Sequence, residues 1–139
     1  MAIVQTQTTS FKAELYQGVH NFLVDTFFIA LYTGNANLNA DTTVYANTNE
    51  ITGTGYTAGG KQLTGATVNS SGTTAYVNFN SIAWTPAAFT TRCALIYNAS
   101  KGNKAVAVLD FGSDKTANGT FTITMPANTP TAALIRSSY

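Results

Sequence analysis

Apolar residues recur along this chain with two periods, and the period changes near residue 23. Phe11, Leu15, Val19 and Phe22 are spaced like one face of a helix. Ser10 stands where an N-cap belongs, Glu14 falls in the early turns, where a carboxylate favours the helix dipole, and Gly18 weakens or ends the run. The pattern predicts one short amphipathic helix over about 10–20, preceded by a polar, Thr-rich arm at 1–9. Beyond it the chain reads as β. The stretch DTFFIALYT (25–33) is apolar at successive positions, as a strand buried on both faces must be. Residues 34–62 are a long connection rich in Asn, Thr and Gly, of a length that is often functional or partner-bound. Strands are then expected at about 62–69, 73–84, 92–99, 103–111, 119–125 and 131–137. Turn signals separate them at Ser70-Ser71-Gly72, at 100–103 and at Ala117-Asn118-Gly119. Tyr76, Phe79, Ile82 and Trp84 do not alternate cleanly, which suggests a bulge near Asn80. Short strands at this spacing predict a mostly β fold, a β-sandwich or jelly-roll-like barrel with one short N-terminal helix. Phe28, Ile29, Leu31, Trp84, Leu95, Ile96, Val108 and Phe111 are the expected core.

Composition fits a single domain over 10–139. With 139 residues and 45% hydrophobic content the chain is long enough for one core without staples. Its charge is unusual: only 9% of residues are charged, against about 25% in an ordinary domain, and the net charge is +1. That argues against a nucleic-acid partner. The polar surface must come from Thr, Asn, Ser and backbone, and such a surface repels its own copies weakly. It suits a protein packed at high local density. No apolar run is long enough to span a membrane, and the first residues lack the basic and apolar regions of a signal peptide, so synthesis inside a cell is expected. A single cysteine, Cys93, leaves no internal disulfide.

Candidate chemistry is sparse. Gly55 to Lys61 (GYTAGGK) fits the first seven positions of a phosphate-binding loop, but Gln62 replaces the hydroxyl that would hold magnesium, and a strand is expected after it in place of a helix. A flexible glycine loop is the plainer reading. Asp110-Phe111-Gly112 echoes the kinase metal motif in a chain far too short for a kinase and reads as a strand end. His20 and Cys93 are each single and lie in different elements; a nucleophile pair lacks any local signature, and a helix-closing polar residue and a small buried hydrophobe are the simpler roles. Asp110 and Asp114 near one turn are a weak calcium candidate beside Lys115. Sequons at Asn69, Asn98 and Asn118 carry no weight without secretion. Tyr32, Tyr45, Tyr56 and Tyr139 sit at expected strand ends or loops and are the aromatics best placed to stack on a sugar. No catalytic residue, metal site or cofactor is assigned.

The segments SFKAELYQGVHNF (10–22), FFIALYT (27–33), TGTGYTAGGK (52–61), ALIYN (94–98) and AVAVLDFG (105–112) resemble a family of small structural proteins of tailed bacteriophages, over about residues 10–136. The resemblance implies a non-catalytic virion component and names no functional residue. The expected function is a capsid decoration or cement protein on the capsid surface. It would bind the phage major capsid protein, act as a homotrimer, and use neither nucleic acid nor membrane. A tail or fibre component, as an adaptor or receptor-binding module, is the alternative; a carbohydrate-binding domain and an enzyme rank below it. The arm, through Ile3, Val4 and Thr6, and the long connection, with Tyr45, Tyr56 and the terminal Tyr139, are the expected contact segments. The arm can add a strand to a neighbour's sheet edge, and so few charges imply weak salt dependence.

Overall fold

The structure is a computed structural model that describes residues 3–138; Tyr139, one of the expected contact residues, lies outside them, as do Met1 and Ala2 of the arm. It is mostly β, with two antiparallel sheets and one short helix near the N-terminus. The elements are β1 (Thr6–Gln7), α1 (Thr9–Tyr16), β2 (Phe27–Tyr32), β3 (Lys61–Gln62), β4 (Thr67–Ser71), β5 (Thr74–Asn78), β6 (Ile82–Asn98), β7 (Lys104–Ile123) and β8 (Ile135–Ser138). Five strands form one sheet in the order β1-β7-β6-β2-β3, and three form the other in the order β4-β5-β8. The two do not close into a barrel. No helix among the described residues is long and apolar enough to cross a membrane.

The two-sided burial expected of β2 is present. Phe27, Ile29 and Leu31 face a first core shared with Val77 and Ile135 of the smaller sheet, together with Trp84, Phe89, Ile96 and Val106. Ala30 and Tyr32 face a second core with Cys93, Leu95, Tyr97 and Val108. What covers that second face is the 34–62 connection, which supplies Ala36, Leu38 and Tyr45. It is therefore a wrapped layer of the fold. Its main chain pairs with β2 through Ile51 N–H to the Leu31 carbonyl and Thr33 N–H to the Asn49 carbonyl, and with the start of β7 through Tyr45 N–H to the Asn103 carbonyl.

Several expected boundaries move. Thr8, in place of Ser10, caps the helix: its hydroxyl accepts from the Phe11 N–H at 3.2 Å. The expected strands at 73–84 and 92–99 divide differently, because residues 79–81 carry the chain from the smaller sheet to the larger and β6 then runs unbroken from Ile82 to Asn98. Ala117-Asn118-Gly119 is no turn; Ala117 is buried and pairs with Phe89, and Gly119 pairs with Ala87. Of the expected core, Ile29, Leu31, Trp84, Leu95, Ile96 and Val108 are buried, while Phe28 and Phe111 are only partly so.

Candidate interaction surface

Residues 3–9, expected to be a free arm, lie along their own domain. Ile3 bridges to Leu38, Val4 N–H donates to the Leu38 carbonyl at 2.9 Å, and Thr8 N–H donates to the Val106 carbonyl at 3.0 Å. Thr6 pairs with Val108 and Gln7 with Ala107, which makes β1 the outermost strand of the larger sheet. In an antiparallel pair the main-chain groups alternate between partner and open side. Thr8 turns its N–H to β7, so Gln7 turns its main-chain groups outward.

β8 is the outermost strand of the smaller sheet, paired with β5 on one side only. Its open side faces β1: Gln7 Nε2 donates to the Arg136 carbonyl at 3.3 Å across the gap. Two open strand edges thus confront each other along the mouth of the sandwich. Clefts flank this bridge on both sides. One, about 680 Å³, is lined by Lys12, Leu15 and Tyr16 of the helix, by Thr6 and Gln7, and by Arg136 to Ser138. The other, about 630 Å³, runs between β1, β7 and the chain before β8, over Leu109, Phe111, Met125 and Leu134. Tyr16 is 94% exposed on the rim, the most exposed of the large hydrophobic side chains. Tyr16 has no local signature in the sequence, because nothing in one helical period says which of the outward residues borders a cleft.

The remaining candidates are placed as follows. His20 is buried under α1. Its Nε2 is 2.8 Å from Glu14 Oε1, and its Nδ1 is 2.9 Å from Asn98 Nδ2. Asn98 is oriented by its other bonds, with Oδ1 accepting from the Ser100 N–H and Nδ2 donating to Asp25 Oδ2. His20 Nδ1 must therefore accept, and Nε2–H donates to Glu14. This network ties helix, turn and β6 together. Lys101 completes it with a 2.8 Å pair to Asp25. Burial pushes the Asp25 carboxyl up, but hydrogen bonds from Lys101, Asn98 and the Asn21 N–H outweigh it and hold the group down at about 2. Cys93 lies in the second core, whereas His20 packs on Phe11 and Phe27 of the first, so the two do not meet. Burial pushes the Cys93 thiol up to about 12, with Asp110 adding to the effect.

Asp110 spends its carboxylate on the Gly112 N–H at 2.8 Å and Arg92 Nε at 3.3 Å, while Asp114 is exposed. Three or more His, Cys, Asp or Glu side chains that could hold a metal ion do not come together among the described residues. Gly55 and Gly60 of GYTAGGK serve close backbone approach. A Cβ on Gly60 would lie 1.9 Å from the Ile29 carbonyl oxygen, and one on Gly55 would lie 1.8 Å from that of Pro86. The Lys61 ammonium lies over the Trp84 ring, 5.8 Å from its centroid.

Of the tyrosines expected as sugar platforms, Tyr32, Tyr45 and Tyr56 are occupied within the fold, and Tyr139 lies outside the described residues. Tyr32 is buried and donates to the Ala46 carbonyl at 2.7 Å. Tyr45 donates to Glu50 Oε1 at 2.6 Å, and Tyr56 donates to Glu50 Oε2, which also accepts from the Gly59 N–H at 2.8 Å. Tyr97 stacks on Tyr45 and donates to the Gly59 carbonyl at 2.5 Å. One carboxylate thus fastens three points of the connection. Burial, then Glu50, raises both Tyr45 and Tyr56 far above an ordinary phenol.

Comparison with known proteins finds no matching family model, no matching curated protein and no matching solved structure.

Proposed function

We propose that this chain is a non-catalytic structural component of a tailed-phage virion, acting as a capsid decoration protein that docks on the major capsid protein and stabilises the head. The observation that carries the reading is the mouth between β1 and β8. Two open strand edges, partly apolar clefts and a fully exposed Tyr16 form a docking surface on a body with only 9% charged residues. The likeness of residues 10–136 to phage structural proteins supports it. A decoration protein needs a stable body that tolerates close-packed copies, and a near-neutral Thr/Asn surface repels its copies weakly. Binding only to the assembled shell stabilises that shell by mass action, and three linked copies would add avidity.

The test is quantitative mass spectrometry of purified virions of the phage that carries this chain. Copies in proportion to the major capsid protein, with heads that release genome at lower temperature when the chain is deleted, are the expected result. Copies in proportion to tail proteins would place it in the tail or fibre instead. Absence from the virion would overturn both.

A further inference from the structure

We propose that the mouth between β1 and β8 binds an extended, carboxylate-bearing segment of a partner protein, which adds as a strand to the open edge of β8. This names the partner chemistry of the docking surface above, and rests on that reading only for the identity of the partner. Three observations point to such an occupant. The outward main chain of β8 is open at Arg136, whose carbonyl is met only by the Gln7 side chain at 3.3 Å. An extended segment adding to a sheet edge gains affinity from those main-chain groups, whatever its side chains. Second, the cleft beside this edge carries Lys12 and Arg136 and, among the described residues, is lined by no acid. Neither cation forms a salt bridge among the described residues; Arg136 Nη1 donates to the Thr131 carbonyl. Among six acidic residues, Asp25 and Asp110 are ion-paired, Glu14 accepts from the His20 Nε2–H, and Glu50 accepts three hydrogen bonds. The chain is thus short of free carboxylates to offer this cleft in a second copy, and the complement is a different, acidic segment. Third, Leu15 and Tyr16 line that cleft, and Phe111, Met125 and Leu134 line its neighbour. Alternate side chains of a strand fall on opposite faces, so one face of the segment would rest on these apolar residues while its carboxylate meets Lys12 and Arg136.

The probe is a synthetic peptide of about eight residues, a usual strand length, alternating Val and Thr with Asp at both ends. An otherwise identical peptide carries Lys at both ends. Backbone amide resonances of the full chain are followed during titration at low ionic strength. The acidic peptide is expected to bind at least ten-fold more tightly than the basic one, shifting Gln7 and Ile135 to Ser138. In the charge-reversed double variant Lys12→Glu, Arg136→Glu the preference should invert. Equal binding of the two peptides by the wild-type chain, no binding of the acidic one, or shifts confined to another edge would overturn the proposal without need of any variant. Failure here with the chain found on the head leaves the decoration reading standing. Success with the chain absent from virions keeps the strand site and removes the capsid as its partner.

Discussion

Replacing Glu50 by Ala should loosen the 34–62 connection, whose segments around Tyr45, Tyr56 and Gly59 this one carboxylate joins, before the rest of the fold is lost. The carboxylate accepts from the Tyr45 and Tyr56 hydroxyls and from the Gly59 N–H. A hydrogen bond to a charged group contributes roughly 1.5–3 kcal/mol. Glu50 and Tyr45 are only half-buried, which puts each bond at or below the low end of that range. Three bonds give about 3–4 kcal/mol. Glu50→Gln keeps one acceptor oxygen, so about half of that should be lost. Urea unfolding measures the totals, and amide exchange at Ile51, whose N–H donates to Leu31 of β2, and at Gly60, whose N–H donates to Thr57, locates the loosening. The same cluster sets an alkaline limit. Tyr45 and Tyr56 are raised in the folded state, so their contribution is complete below the unfolded value near 10 and is lost as pH rises beyond it, at about 1.4 kcal/mol per pH unit for each tyrosine. Removing the Glu50 charge should make that alkaline decline shallower. A loss under about 1 kcal/mol for Glu50→Ala, or unchanged exchange at Ile51 and Gly60, would refute the assignment of Glu50 as the fastener.

Trp84→Ala removes a 4% exposed indole that packs on Phe89 and Phe121, and should cost about 3–5 kcal/mol in chemical denaturation. Asp25, held at about 2 by Lys101, Asn98 and the Asn21 N–H against the effect of burial, has a lowered folded-state value; its contribution is therefore present above the unfolded value near 4 and is lost as pH falls toward 2. Lys101→Met should flatten that acid limb when stability is followed from pH 5 to pH 2. Cys93, with its thiol pushed up to about 12 inside the second core, should resist alkylation at pH 8 in the native protein and react once urea unfolds it, as mass spectrometry of the labelled chain will show.

The fold class was legible because burial leaves its mark on period: FFIALY is apolar at every position, and a strand covered on both faces has no polar side to show. The lengths of β6 and β7 were not legible. Their pairing slips between Trp84 and Ala87, between Thr91 and Cys93 and between Ile96 and Tyr97. Each slip shifts the alternation, and Pro86, Gly112 and Asn118-Gly119 then read locally as turns. Only the partner strand reveals that pairing resumes. The facing edges of β1 and β8 were invisible for a related reason. These edges, at residues 6–7 and 135–138, are more than a hundred residues apart in sequence, and nothing local to either states that they face each other. The tyrosines at 45 and 56 read as exposed contact residues because nothing local marks Glu50 as the acid that gathers them.

The arm and the connection were expected to act as limbs reaching for a neighbour; folded against their own sheet they do something energetically different. An unattached segment must give up roughly 1–2 kcal/mol of backbone entropy per residue when it orders on a partner. Residues 3–8 and 34–62 have already been ordered within the fold, held by Leu38, Val106, Leu31 and Asn103 carbonyls and by Glu50. The cost of ordering β1 thus falls on folding, and a segment that docked between β1 and β8, as proposed, would meet a preorganised surface. Deleting residues 3–9 would not isolate a contact. It removes Thr8, the cap of α1, and the strand that covers one side of β7. A loss of occupancy in such a truncation therefore follows from a damaged body as readily as from a missing contact. The charge reversal at Lys12 and Arg136 leaves β1 and the cap in place, so it separates the two causes.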